Sequence, residues 1–242
     1  MHGWRVHAQA TCFFEFSMNL SAELETFSGR KGGVFLGLVL LPGMNVQQWS
    51  FEKVDDDPWA YTGLSMQVEW PLPLLLTPSS MMIYNHMFQL LFRLKRVIYA
   101  LNQTWKNMRG YSTPACLLRH DIIFVLSNLF FYYQMAVVEA HFNQCVMECE
   151  KTSDFDAVKR LHENFVAALA KKSYLYAATV MNAIDQVIAL GWAFCANPSI
   201  EMLGEYESRT ANLCKVLSNT DAQELVILID FNGYLMQHNT NY

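Results

Sequence analysis

The sequence is poor in charged residues. Asp, Glu, Lys and Arg together make up 16% of its 242 residues, whereas hydrophobic residues make up 52%. A chain of this size and composition can bury a large core, and so little charge indicates that a partner covers part of its apolar surface. The formal net charge of −5 argues against nucleic acid as the main ligand, because phosphate binding requires a basic surface.

The motifs of common enzyme classes are also missing. Gly29, Gly32 and Gly33 lack the Lys-Ser/Thr ending and the following helix of a phosphate-binding loop. No serine lies in a nucleophile-elbow pattern. Asp154 and Asp156 are explained as helix caps or first-turn acids, which the helix dipole favours. The sequence therefore predicts a protein that is not an enzyme and that binds no cofactor.

The N-terminus lacks the apolar run and the small-residue cleavage site of a secretory signal. The six cysteines are scattered, so we interpret them as reduced cytosolic thiols. His141, Cys145 and Cys149 lie at helical spacing on one face. A zinc site would need such a set together with ligands from another element. We prefer the interpretation of a packed histidine beside two buried thiols, and we predict no metal.

The most informative stretch runs from Trp59 to Trp105. Apolar and polar residues alternate over Gly63–Trp70, which is the period of a half-buried strand. The WPLP sequence at residues 70–73 ends that strand, because proline has no backbone donor. Apolar residues then recur every three or four positions and predict one long helix. The predicted structural anchors, which clamp the strand against the helices, are Trp70, Pro71 and Trp105.

The first helix also carries basic residues, which predict a basic outer face made of Arg93, Lys95, Arg96, Lys106 and Arg109. One interpretation is a solvated face. The other is a docking surface for an acidic partner, which the basic charges would steer into register.

The rest of the chain has the apolar period of helices joined by short loops, which favours antiparallel neighbours. The predicted helices are about Ser79–Arg109, Ala115–Glu150, Asp154–Ala170, Ser173–Ala196, Ile200–Leu217 and Thr220–Met236. Before them, short strands are predicted at Cys12–Leu20, Val34–Leu41 and Val46–Val54. The predicted fold is mainly α, a bundle of about six helices with a small antiparallel β segment near the N-terminus. The predicted domains are residues 1–57, with short strands, and a helical domain over residues 58–242.

A different class of function depends on Ile122–Val138. This run is nearly all apolar, but Ser127, Asn128 and Gln134 interrupt it, and its length is at the short edge for a membrane span. We prefer a buried central helix. The alternative is a membrane-embedded or membrane-docked helical protein.

Four segments, in this order, carry a resemblance to a known family. The first is the strand with WPLPLLLTP and the helix that ends YALNQTW, at residues 63–105. The second is LRHDIIFVLSNLFFYYQMAVVEAHF at residues 118–142, and the third is Asp154-Phe155 followed by HENF at residues 162–165. The last is LVILIDFNGYL at residues 225–235. Together they resemble the C-terminal domain of the gamma-tubulin complex component family, and the last helix leans towards its component-4-like branch.

The resemblance implies a role that the residues alone do not predict. It implies gamma-tubulin binding and microtubule nucleation at a centrosome or spindle pole, in the cytoplasm, together with other components of the gamma-tubulin complex. Family members are usually much longer, so we expect a fragment or a short isoform. With an acidic partner of this kind, the predicted gamma-tubulin contacts are Arg93, Arg96 and Arg109.

Overall fold

The computed structural model describes residues 44–48, 62–66, 70, 72–107, 112–231 and 233. Two short strands, β1 (Met44–Gln48) and β2 (Thr62–Met66), pair antiparallel with Val46 opposite Leu64. A two-stranded ribbon is marginally stable on its own. These two strands therefore do not establish the small antiparallel β segment predicted near the N-terminus, which stays a prediction. The strands predicted at Cys12–Leu20 and Val34–Leu41 lie outside the described residues.

The described part of the chain is mainly helical, as predicted. Its helices are α1 (Pro78–Asn107), α2 (Thr113–Phe131), a π-helical segment (Tyr132–Glu139), α3 (Ala140–Cys149), α4 (Phe155–Lys172), α5 (Ala178–Ala196), α6 (Leu203–Ser218) and α7 (Gln223–Ile229). Because α2, the π-helical segment and α3 follow one another without a break, these seven α-helices make six helical stretches. Short 3-10 turns at Leu72–Leu74 and Ile200–Met202 precede α1 and α6.

Local chemistry explains where the first helices begin. Thr77 Oγ1 accepts a hydrogen bond from the Ser80 backbone N–H at 3.3 Å, and Pro78 occupies the first helical position. Both are favourable at a helix N-terminus. At the start of α4, Asp154 Oδ1 accepts from the Asp156 N–H at 3.3 Å. Asp154, which the sequence predicts as a cap or first-turn acid, therefore caps this end of the helix.

Two helix boundaries differ from the prediction by at least five residues. The fourth predicted helix begins at Ala178 rather than Ser173, because Tyr174 has a φ of 56°. This left-handed conformation cannot continue an α-helix. The last helix ends at Ile229 rather than Met236, and Gly233 follows with a φ of 66°.

The chain divides into two compact units. In the first, which holds residues up to 91 and residues 137–170, the start of α1 packs with α3 and α4 around aromatic rings. The Tyr84 hydroxyl and His162 Nε2 are hydrogen-bonded at 2.7 Å, and the rings of Phe142 and Phe165 meet edge to face at 6.0 Å. His162 is therefore part of the core of this unit.

The second unit holds residues 92–136 and those from 171 onward. Here α5 packs on α6, and α2 contacts α5 and α7. Its most deeply buried apolar side chains come from all these helices and the end of α1, and include Leu94, Val97, Leu101, Ile122, Leu126, Leu129, Ile184, Val187, Leu190, Phe194, Leu213 and Leu217. α2 packs on both α5 and α7, and a helix with two such apolar faces is expected to be apolar nearly all round.

Two helical stretches of the described residues are long and apolar enough to cross a membrane. They are Thr113–Cys149 and Ala178–Ala196, and 50% and 44% of their most apolar windows are buried inside the protein. The core helix of a soluble protein has the same length and composition. The burial of Ile122, Val125 and Leu126 is what the predicted central helix requires.

Candidate protein-interaction surface

Arg93 and Arg96, two of the predicted contact residues, lie on α1 in the second unit. Arg93 Nη1 donates a hydrogen bond to Asp185 Oδ1 on α5 at 2.6 Å. The two side chains are 40% and 43% exposed. This ion pair is therefore reached by solvent and by a partner, and its strength is screened by salt.

Arg96 lies one turn further along α1 and stacks on aromatic rings. Its guanidinium carbon is 5.4 Å from the centroid of Trp192 on α5 and 5.8 Å from that of Phe92. Contacts at this distance are attractive cation–π interactions. Trp192 remains 39% exposed, so an arginine and a tryptophan are held together at the surface.

We name these four residues the arginine–tryptophan face: Arg93, Arg96, Asp185 and Trp192. Arginine and tryptophan are the residue types that most often dominate binding energy in protein interfaces. The face is also pre-organised, because the ion pair and the stacked ring restrict both arginines before any partner arrives. Pre-organisation lowers the entropy cost of binding.

A glycine lets the two helices approach closely enough to form the face. A Cβ atom on Gly191 of α5 would lie 2.6 Å from Val97 Cγ2 of α1 and 3.3 Å from Leu126 Cδ1 of α2. Gly191 directly precedes Trp192 in the sequence, and Val97 directly follows Arg96. The close contact below the surface therefore places the tryptophan and the arginine side by side above it.

Lys95 does not belong to the basic outer face predicted on α1. Lys95 points to a different side of the helix, and its Nζ lies 4.9 Å above the Phe130 ring of α2. Partial burial lowers the pKa of Lys95. Residues two positions apart on a helix are about 200° apart around its axis, which is why Lys95 leaves the side that Arg93 occupies. Arg109 lies outside the described residues.

The predicted anchors also need correction. Trp70 is 77% exposed in the turn before the first 3-10 turn, so it packs in no core. Trp105 is 54% exposed, and its ring stacks on the Arg119 guanidinium, whose carbon is 4.9 Å from the ring centroid. It lies in the last turn of α1, where the apolar stripe leaves the core. Pro71 lies outside the described residues.

Two members of the arginine–tryptophan face were missed in the sequence. Asp185 and Trp192 lie one heptad apart on α5, a spacing that places both on one side of the helix. That spacing was a usable signal. The pairing of Arg93 with Asp185 was not, since the two residues are separated by 92 positions and no local pattern links them.

His141, Cys145 and Cys149, the residues considered above as a zinc set, are all partly buried. Burial, with Cys149 as a second cause, raises the pKa of Cys145 to about 12. His141 Nδ1 is 2.8 Å from the Val137 carbonyl oxygen. A thiol must lose its proton to bind zinc, and a raised pKa opposes that. Among the described residues, no three His, Cys, Asp or Glu side chains are grouped as metal ligands.

The comparisons with known proteins place the chain in a family. The family model described as gamma tubulin complex component C-terminal matches residues 44–235. Gamma-tubulin complex component 4 of mouse and that of human are each 29% identical to the chain over 209 residues, which covers 74% of this chain. Gamma-tubulin complex component 4 of Arabidopsis thaliana is 26% identical over 165 residues, or 58% of this chain.

The resemblance found in the sequence is thereby confirmed, while the membrane interpretation gains no support. The chain spans about a third of the length of the mouse and human relatives, since the matches cover 31% of each. The match to the family model begins at residue 44, ahead of the segments that carried the resemblance. The chain belongs to the gamma-tubulin complex component family, by the C-terminal domain of its members.

Proposed function

We propose that the chain binds gamma-tubulin and takes part in microtubule nucleation as a component of a gamma-tubulin complex. The observation that carries this proposal is the family match over residues 44–235, supported by relatives named gamma-tubulin complex components. The role is non-catalytic and needs no cofactor. Its partners are gamma-tubulin and other components of the complex, at a microtubule-organising centre such as a centrosome or spindle pole.

The helical domain, residues 58–242, carries the binding surface in this proposal, and the small β segment near the N-terminus belongs to the same fold. The arginine–tryptophan face supplies the contacts. Its two arginines outnumber its one carboxylate, Asp185, on a chain of net charge −5, and an acidic tubulin-like partner is attracted to a local excess of positive charge. Arg109 is a further contact in this proposal.

The test is binding of purified gamma-tubulin by the chain at physiological salt, measured by biolayer interferometry. The double variant Arg93→Glu/Arg96→Glu is expected to bind at least about tenfold more weakly, which is the loss typical of hot-spot residues. The matched control is Lys171→Glu/Lys215→Glu, which makes the same change in charge at two exposed lysines. Arg109→Glu is measured separately.

The results separate the function from the location of its surface. If the folded chain shows no binding, gamma-tubulin binding by this part of the family domain is refuted. If the chain binds and both double variants bind equally well, the function stands and the arginine–tryptophan face is not the contact surface. Circular dichroism of each variant shows whether the helices are intact.

A further inference from the structure

A second surface lies on α2, away from the arginine–tryptophan face. Leu117, Phe124 and Phe131 are spaced by seven residues and are 59%, 47% and 53% exposed. Met135, in the π-helical segment, is 36% exposed and lies four residues after Phe131. Large apolar side chains exposed together in this way mark an interaction site rather than scattered surface residues.

The spacing of this surface is that of a helix-pairing seam. Asp121 and Asn128 fall four residues after Leu117 and Phe124, so the positions repeat in steps of four and three. This is the 3.5-residue period at which one helix packs along another. We name the six residues the α2 seam: Leu117, Asp121, Phe124, Asn128, Phe131 and Met135.

The size of the α2 seam fits a single helix. The four exposed apolar residues of the seam, Leu117, Phe124, Phe131 and Met135, together expose roughly 400 Å², taking about 200 Å² for each whole side chain. A standard interface between globular proteins buries about 800 Å² on each partner. The seam is too narrow for such an interface and is wide enough for the apolar stripe of one amphipathic helix.

The charges of the α2 seam select the kind of helix. Asp121 is the one formally charged residue of the seam, and its side chain is 51% exposed. Arg119, two residues earlier, is held elsewhere, because it donates to the Leu101 carbonyl and stacks on Trp105. Among the described residues, Asp121 lies near His120, whose Nδ1 is 3.7 Å from its Oδ1, and near the hydroxyl group of Tyr206 on α6. A basic residue on a partner helix would complement this carboxylate.

The same charge disfavours a second copy of this chain as the partner. In a parallel pairing of two α2 helices, Asp121 would face the same aspartate of the other copy, and like charges across a seam repel. In an antiparallel pairing, its carboxylate would be buried against apolar side chains without a partner, which is costly. We propose that the α2 seam binds an amphipathic helix of another protein, with an apolar stripe of heptad spacing and with lysine or arginine beside it.

The central polar position adds register to this interaction. Asn128 Nδ2 donates a hydrogen bond to the Leu228 carbonyl oxygen on α7 at 2.9 Å, so its amide is fixed in the middle of the seam. A polar residue at such a position penalises every alignment that places an apolar side chain against it. The partner helix is expected to present a polar side chain there.

The experiment uses the whole chain and two synthetic 21-residue helical peptides, which share a leucine stripe at heptad spacing. One has lysine at the positions beside the stripe, and the other has glutamate at the same positions. Fluorescence anisotropy of the labelled peptides is expected to show at least tenfold tighter binding of the lysine peptide. Asp121→Lys is expected to reverse the preference, and Phe124→Ser/Phe131→Ser is expected to abolish binding of both peptides.

The matched control is Ile200→Ser/Leu203→Ser, which removes two exposed apolar side chains elsewhere in the second unit, 37% and 38% exposed; it should bind the lysine peptide normally. Equal binding of both peptides, or an unchanged preference in Asp121→Lys, refutes the proposal even if another variant fails to fold. The proposal is also overturned if the chain dimerises through the α2 seam. Sedimentation would then show a dimer for the natural chain and a monomer for Phe124→Ser/Phe131→Ser. Competition by neutral phosphatidylcholine vesicles would identify a lipid surface instead.

Discussion

At the scale of single residues, positions with unusual surroundings have the clearest consequences. Gly191 lies where α1, α2 and α5 meet, and no side chain fits there without a shift of Val97. His162 is buried beside Tyr84, and its Nδ1 atom has no hydrogen-bond partner among the residues that the structure describes. Gly191 and His162 each lead to a prediction about the stability of the fold that does not depend on binding a partner.

Gly191→Ala is expected to destabilise the chain by about 1–3 kcal/mol, the usual cost of overpacking a core. The added methyl group would overlap Val97 Cγ2 at 2.6 Å. Gly204→Ala is the matched control, because a Cβ atom at Gly204 of α6 meets nothing within 4 Å. That change is expected to be neutral or slightly stabilising, since alanine favours a helix. Urea unfolding followed by circular dichroism measures both, and equal stabilities would contradict the close packing.

His162 is expected to make the chain less stable in mild acid. Burial lowers the pKa of His162 below its ordinary value of 6.5. The histidine of the unfolded chain therefore takes up a proton first as the pH falls through about 6.5. The contribution of neutral His162 to the free energy of unfolding is complete above about pH 6.5. It decreases as the pH falls further, until the folded state is protonated as well. Melting temperatures at pH 7.5 and 5.5 should differ more in the natural chain than in His162→Gln; an equal difference would assign the acid sensitivity to other groups.

At the scale of elements, the apolar period predicted the helices but not the places where they are irregular. α1 was predicted to within two residues at its start because Thr77, Pro78 and the apolar stripe all favour that position. The π-helical segment at Tyr132–Glu139 was not predicted, since the run Ile122–Val138 is apolar nearly all round and has no stripe whose phase could show a change of period. Tyr174 also gave no warning, because its left-handed backbone is imposed by the fold and not favoured by tyrosine.

The candidate surface was predictable to a similar degree. Arg93 and Arg96 were selected for their charge and their place on α1, whereas Asp185 and Trp192 come from a helix that lies far away in sequence. Which cation meets which carboxylate depends on how two helices pack, and that is decided by contacts such as the one at Gly191. The sequence predicts which charged residues lie on one helix. The residues that they contact come from the neighbouring helix and depend on how the two helices pack.

The ion pair between α1 and α5 is expected to contribute about 0.2–1 kcal/mol, because both of its side chains are about 40% exposed. A double-mutant cycle with Arg93→Ala and Asp185→Ala measures this coupling by urea unfolding. The swapped variant Arg93→Asp/Asp185→Arg should recover part of the stability. A coupling energy of zero would show that the pair positions Arg93 without stabilising the fold.

At the scale of the whole molecule, the low charge and the apolar helices are reconciled by burial. The chain has 52% hydrophobic residues; among the described residues, apolar side chains fill the cores of two compact units, and those that remain exposed include those of the α2 seam. Family membership explains the composition better than a lipid environment does, since half of the most apolar window of Thr113–Cys149 is already covered by protein.

The purified chain is therefore expected to remain in the supernatant without detergent. The physical reason is that the longest apolar helix has its most hydrophobic side in the core, where Ile122, Val125 and Leu129 are fully buried. Ultracentrifugation of the chain with and without a mild detergent is the measurement. Recovery only in the presence of detergent would restore the membrane interpretation.

The stacking of Trp192 on Arg96 has one further consequence. An indole that is 39% exposed and 5.4 Å from a guanidinium group has an emission spectrum set jointly by water and by that cation. A partner that covers the arginine–tryptophan face excludes water from the indole ring. A partner that binds Arg96 moves the guanidinium charge away from that ring. A variant in which the other five tryptophans are replaced by phenylalanine would therefore carry its own optical reporter, whose emission wavelength and intensity change when the face is occupied.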